Sequence, residues 1–171
     1  MNKKIIFILG GARSGKSAFA LKEATRVSGK KAYIATAEVL DEEMRQRIEE
    51  HKRKRDDEWV TYEEPIRIDN IIKGIENRYS VIVIDCMTLW LSNLMHNGLN
   101  IEDEIKHLIS SLVAHNLSLL YVVSNEVGMD IVPDNELGRR FRDMAGILNQ
   151  MIAEISNEVY FVMAGIPMKI K

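Results

Sequence analysis

A chain of 171 residues, 46% apolar and 28% charged, has enough material for one core and little for a second, so residues 1–171 read as a single domain. A net charge of −2 gives no broad basic field, which argues against nucleic acid as a partner, and no stretch is long and apolar enough to span a membrane. Cys86 is the one cysteine, so an intrachain disulfide is excluded and a cytoplasmic location is expected.

Met1 to Leu9 has the charged-then-apolar order of a signal peptide, but its apolar run is too short and passes straight into Gly10-Gly11-Ala12-Arg13. Lys4 to Leu9 therefore reads as a buried strand. Lys16 to Ser28 reads as a helix that Gly29 closes. Ala32 to Ala35 is a short strand. Asp41 to Arg55 is a charged helix with acids in its first turn, where they suit the helix dipole. Ile68 to Asn77 is a further helix. Val81 to Ile84 is a buried strand with Asp85 at its carboxyl end. Ile101 to His115 is a helix and Leu119 to Ser124 a strand. Asn125 to Asp134 is a loop. Leu137, Phe141, Met144, Leu148, Met151 and Ile155 recur at helical spacing, so Glu136 to Asn157 is a long amphipathic helix. Val159 to Ala164 is a last buried strand, with an edge strand over Met168 to Ile170. This alternation predicts an α/β fold, a mostly parallel sheet with helices on both faces. Ligands of such sheets sit beyond the carboxyl ends of the strands, where Gly10, Thr36, Asp85 and Asn125 all fall.

Gly10-Gly11-Ala12-Arg13-Ser14-Gly15-Lys16-Ser17 fits G-x-x-x-x-G-K-[ST], between a strand and a helix. Glycines let the backbone wrap phosphate oxygens, and N–H groups at the helix start point at the anion. The pattern predicts a P-loop NTPase-like fold that binds ATP or GTP. Lys16 would reach the β- and γ-phosphates and Ser17 would ligate Mg²⁺. Asp85 is either the carboxylate that orients the metal or a turn residue. A P-loop specifies the ligand and leaves the reaction open, because kinases and nucleotide-operated switches share it.

Arg47, His51 and Arg55 are spaced four apart and share one face of the charged helix, a face that includes Trp59 if the helix continues. A histidine between two guanidiniums makes a poor metal site and a good triphosphate site, where neutral imidazole can attack phosphorus. A solvated charged helix with an incidental histidine fits the same spacing. Arg139, Arg140 and Arg142 stand at a helix start, where cations oppose the dipole and suit an anionic partner.

These motifs together resemble the bifunctional adenosylcobinamide kinase/adenosylcobinamide-phosphate guanylyltransferase family of cobalamin biosynthesis. The likeness runs through Gly10 to Ser17, Tyr33-Ile34-Ala35-Thr36, and the pattern Arg47, Ile48, His51, Arg55, Trp59, Thr61 and Glu63. It continues through Asn125-Glu126-Val127-Gly128, Ile131-Val132-Pro133, Phe141-Arg142-Asp143, Gly146, Asn149-Gln150 and the tail from Gly165 to Lys171. The resemblance implies two reactions. A nucleoside triphosphate phosphorylates adenosylcobinamide, and GTP then gives GMP to His51, which passes it to the cobinamide phosphate, yielding adenosylcobinamide-GDP. It makes Lys16 and His51 catalytic, the corrinoid the acceptor, and ATP and GTP the donors. It adds Thr36, Ala37, Arg47, Lys52, Arg53, Lys54, Arg55 and Glu63 to the nucleotide contacts, and implies a homo-oligomer, a trimer. The alternative is another P-loop small-molecule kinase in which His51 has no covalent role. Two reactions at different phosphorus atoms lead to the expectation that the 41–55 helix moves between states.

Overall fold

The computed structural model describes residues 3–39, 42, 45, 46, 49, 53, 57–75, 77–114 and 119–171. Its strands are β1 (Lys4–Leu9), β2 (Lys31–Ala35), β3 (Trp59–Glu63), β4 (Val81–Asp85), β5 (Leu119–Val123), β6 (Glu158–Met163) and β7 (Ile166–Lys169). The named helices are α1 (Lys16–Thr25), α2 (Ile68–Ile75), α3 (Met87–His96), α4 (Ile101–Ala114) and α5 (Glu136–Ile155). The strands form one sheet in the order β3-β2-β4-β5-β1-β6-β7. All neighbours are parallel except β6 and β7, which form an antiparallel hairpin.

Strand alternation divides the core in two. Ile5, Phe7 and Leu9 of β1 face the larger layer, where α2, α3, α4 and α5 pack. Ile6 and Ile8 face the smaller layer, built on Ala20, Leu21 and Ala24 of α1. Both sheet faces are thus covered, which is why β1, β4 and β5 read as unbroken apolar runs.

Two segments depart from expectation. Trp59 does not extend the helical face. It opens β3, pairs in register with Lys31, and is buried edge-on against Tyr33. The segment 59–63 carries Glu63 and Thr61 among its few apolar residues, and pairing with β2 decides its state where local pattern is weak. α3 was not expected either. Trp90, Leu91 and Leu94 are buried on it, and its apolar surface lacks the polar stripe that marks an amphipathic helix. Of the expected 41–55 helix, Glu42, Arg45, Gln46, Glu49 and Arg53 are helical, with Arg45 on Glu42 at 3.2 Å and Arg53 on Glu49 at 3.7 Å. No helix among the described residues is long and apolar enough to cross a membrane.

Glu158 ties three strands together at the foot of the sheet. Its Oε1 meets Lys4 Nζ at 2.8 Å and Lys169 Nζ at 3.1 Å, and its Oε2 accepts from the Tyr160 hydroxyl at 3.0 Å. The Lys4 contact leads in pulling this carboxyl from the usual 4.5 to about 2. A depressed carboxyl pKa stabilises the fold fully above the unfolded value and loses that contribution as pH falls through the folded one. Glu158→Gln is therefore expected to lower stability at pH 6 by on the order of 2 kcal/mol. The gap to the parent should narrow between pH 4.5 and pH 2, the window set by the two pKa values. Urea unfolding at pH 6 and pH 3 checks this, and a gap independent of pH would refute it.

Candidate active site

Parallel strands bring their carboxyl ends to one edge of the sheet, and the site is assembled there. β1 hands the chain to Gly10, whose φ of +154° lies outside ordinary L-residue space. A Cβ on Gly10 would stand 2.3 Å from the Val162 carbonyl oxygen, so the loop starts where only glycine fits. Gly15 caps α1 with φ +98° and offers no side-chain cap. The first N–H groups of α1 are left without side-chain partners, and no acid occupies its first turn. Such a helix start attracts anions. Ser17 belongs to this first turn.

Lys16 is 6% exposed and its ammonium donates to the Gly11 carbonyl at 2.7 Å, across the loop. Burial is the largest influence on Lys16 and draws its pKa below the ordinary lysine value, while the nearby Cys86 and Asp85 oppose that shift. Lys16, from the loop after β1, therefore lies within the electrostatic reach of Asp85 at the end of β4, although β5 runs between those strands. Ala12 and Arg13 stand exposed on the rim of the loop. Ser14 Oγ is buried and has no hydrogen-bond partner.

Asp85 is held from below. Tyr33 lies two residues before Ala35, which is in register with Asp85, so alternation puts Tyr33 on the same sheet face as that pair. Its hydroxyl donates to Asp85 Oδ2 at 2.7 Å. Thr36 is fully buried and clamps the next peptide: its Oγ1 accepts from Cys86 N–H and donates to Cys86 O, both at 2.7 Å. Asn93 of α3 donates to Thr36 O at 2.8 Å and to Pro65 O at 3.1 Å, so α3 ties the ends of β2 and β3 together. Asn125 donates to Thr88 Oγ1 at 2.7 Å, and Asn149 of α5 donates to Asn125 O at 3.1 Å. Glu126 N–H donates to Gly10 O at 3.0 Å.

The structure thus gathers Gly10 to Ser17, Thr36, Ala37, Asp85 and Asn125 at one edge. Glu63 ends β3 beside the end of β2 and is exposed. Arg53 is exposed and paired with Glu49. Arg47, His51, Lys52, Lys54 and Arg55 lie outside the described residues. Arg139 is taken up locally, donating to Pro133 O at 3.0 Å and Asp134 O at 2.9 Å, and Arg142 pairs with Asp143. Tyr33, Thr88 and Asn93 went unassigned from sequence. For Tyr33 the signal is its place two residues before the end of a strand paired with the one that carries Asp85. For Asn93 there is none, because α3 was unseen.

The donor set fits a magnesium ion bound with nucleotide. Ser17 and Asp85 supply hard oxygens of the kind Mg²⁺ takes in ones and twos, with phosphates and water completing its shell. Among the described residues no group of three or more His, Cys, Asp or Glu offers a larger cage.

Gly10 and Gly11 separate packing from phosphate contact. A Cβ on Gly11 meets nothing within 4 Å. Gly10→Ala is expected to lower the thermal midpoint by several degrees, on the order of 2 kcal/mol, and to abolish binding of a GTP analogue. Gly11→Ala should keep the parent midpoint. Equal midpoints for the two variants would contradict the close approach of the loop to β6.

Comparison with known proteins identifies relatives along the whole chain. A bifunctional adenosylcobalamin biosynthesis protein of Pseudomonas aeruginosa is 40% identical, covering 96% of this chain and 95% of that one. The protein of the same description from Escherichia coli K12 is 39% identical, covering 98% of this chain and 99% of its own. Among solved structures, the VirB11 ATPase from the Brucella suis type IV secretion system superposes with a TM-score of 0.48 at 11% identity, over 98% of this chain and 47% of that one. Residues 6–170 match one family throughout, and the chain belongs to it: the cobinamide kinase/cobinamide phosphate guanyltransferase family.

Proposed function

We propose that this enzyme phosphorylates adenosylcobinamide with ATP or GTP and then transfers GMP from GTP to the cobinamide phosphate. The family match over residues 6–170 carries the proposal, and the buried Lys16 within reach of Asp85 supports it. In the kinase step the acceptor hydroxyl attacks the γ-phosphorus, its proton leaves, and the bond to the β,γ-bridging oxygen breaks to release nucleoside diphosphate. Lys16 and the N–H groups at the start of α1 hold the phosphates and take up charge on the leaving oxygens. When bound between Ser17, Asp85 and the phosphates, Mg²⁺ would neutralise further charge there. Tyr33 holds Asp85 Oδ2, and we assign the other carboxylate oxygen to the metal.

In the transfer step an imidazole nitrogen of His51 attacks the α-phosphorus of GTP and pyrophosphate leaves. A phosphate oxygen of the cobinamide phosphate then attacks that phosphorus, the N–P bond breaks, and adenosylcobinamide-GDP departs. We assign Arg47, Lys52, Arg53, Lys54 and Arg55 to the triphosphate, Thr36, Ala37 and Glu63 to the nucleotide edge of the sheet, and movement of the 41–55 helix to the change between reactions. The same reading makes the enzyme cytoplasmic and homotrimeric.

Incubation with Mg²⁺ and GTP labelled at the α- or the γ-phosphate tests the covalent step. α-Label is expected to remain on the protein, labile to acid and stable to alkali, and to be missing from His51→Ala. No retained α-label would leave a plain P-loop kinase, and label undiminished in His51→Ala would place the GMP on a residue other than His51. Tyr33→Phe should raise the Mg²⁺ concentration for half-maximal phosphoryl transfer by about tenfold, since it frees the Asp85 carboxylate to rotate. An unchanged Mg²⁺ titration would show that Tyr33 does not position the metal ligand.

A further inference from the structure

The tail from Gly165 onward is part of the sequence motif, yet none of its side chains enters the chemistry above. Its backbone does reach the phosphate loop. The β6–β7 hairpin turns at Ala164 and Gly165, with φ of +50° and +80°. Gly165 N–H donates to Ser14 O at 2.9 Å. A Cβ on Gly15 would lie 3.3 Å from Gly165 Cα, and a Cβ on Gly10 would collide with Val162 O at 2.3 Å. Residues 162 and 165 of the hairpin therefore back both ends of the loop that contains Gly10 and Gly15.

One peptide shows what this contact does. In a trans peptide the C=O and the following N–H point in opposite directions. Holding Ser14 C=O on Gly165 turns the Gly15 N–H away from the hairpin, toward the open side of the loop. The hairpin is itself anchored far from its turn. Lys171 exchanges backbone hydrogen bonds with Val159, and its ammonium donates to Ala153 O at 2.9 Å and Glu154 O at 3.0 Å at the end of α5. Glu158 links Lys4 and Lys169 across the same foot.

We propose that the β6–β7 hairpin is the outer wall of the phosphate cradle and that Gly165 is a positioning residue for triphosphate binding. The proposal rests on the reading of Gly10 to Ser17 as the triphosphate site. It gives the C-terminal motif a reason: a residue that resists φ +80° shifts the turn, withdraws the N–H from Ser14 and lets the Gly15 peptide rotate.

A matched pair of variants separates this role from ordinary turn stability. Gly165 and Gly98 both have left-handed φ, +80° and +63°, and a Cβ on either meets nothing within 4 Å. Gly98 closes α3, away from the loop. Gly165→Val and Gly98→Val should lower the thermal midpoint alike. Affinity for β,γ-imido GTP should fall about tenfold in Gly165→Val only, with KM for the nucleotide rising more than kcat falls. Gly165→Ala, for which Ala164 is a precedent at the neighbouring position, should fold and lose about threefold. Parent-like affinity in both Gly165 variants, alongside loss in Lys16→Ala, would overturn the hairpin role alone. Parent-like affinity in Lys16→Ala would overturn the triphosphate site and this proposal with it.

Discussion

The closeness of one loop to one strand governs the site. Residues 10–15 run so near β6 that a single methyl at Gly10 would lie 2.3 Å from a backbone oxygen. A backbone oxygen in a sheet cannot give way as a side-chain tip can, so the absence of a side chain at Gly10 is a packing requirement before it is a binding one. It lets β1 deliver the chain into the helix start at Lys16 with the peptide groups still oriented. Strand order follows the same demand, because β6 must be the neighbour of β1 for the loop to have a wall.

Electrostatics then operate on a frame already fixed. Burial works against the charge on Lys16, and Asp85 works for it. Lys16 meanwhile donates to Gly11 of its own loop, so its ammonium already spans the loop it serves. Beneath the carboxylate lies a polar layer with its partners assigned: Tyr33 on Asp85, Thr36 on the Cys86 peptide, Asn125 on Thr88, Asn149 on Asn125. Each bond joins a different element, so β2, α3, β5 and α5 all bear on the position of a single acid. Most of this buried polarity is matched, and Asn149 Oδ1 is the atom in the layer left without a hydrogen-bond partner.

What the sequence disclosed divides along a physical line. The buried strands and the P-loop were legible because they depend on local pattern, apolar runs between glycines or a fixed motif between strand and helix. Asp85 was legible as an acid ending such a run. β3 was not, because its state is set by pairing with β2 and its own alternation is poor. α3 was not, because a helix packed on most sides has no stripe to read. The bonding under Asp85 was equally hidden, since Tyr33 reaches the carboxylate, Thr36 the Cys86 backbone and Asn93 the Thr36 carbonyl only after segments separated in sequence are brought side by side. The basic residues of the 41–55 segment carry the family pattern, and the described ones among them, Arg45 and Arg53, pair with acids of their own helix.

The place of β5 between β1 and β4 sets a scale. Neighbouring strands lie about 4.8 Å apart, so the strand that leads to Lys16 and the strand that ends at Asp85 are separated by about 10 Å of sheet. That width is fixed by backbone hydrogen bonding and cannot be tuned by side-chain substitution. Cation, phosphates and carboxylate are therefore spaced by a ruler common to any ligand the enzyme accepts. Under the proposed function, choice of acceptor is assigned outside the ruler, to the connections between strands rather than to the strands themselves. Redirecting such an enzyme to a new acceptor is then a matter of exchanging those connections, with the sheet carried over intact.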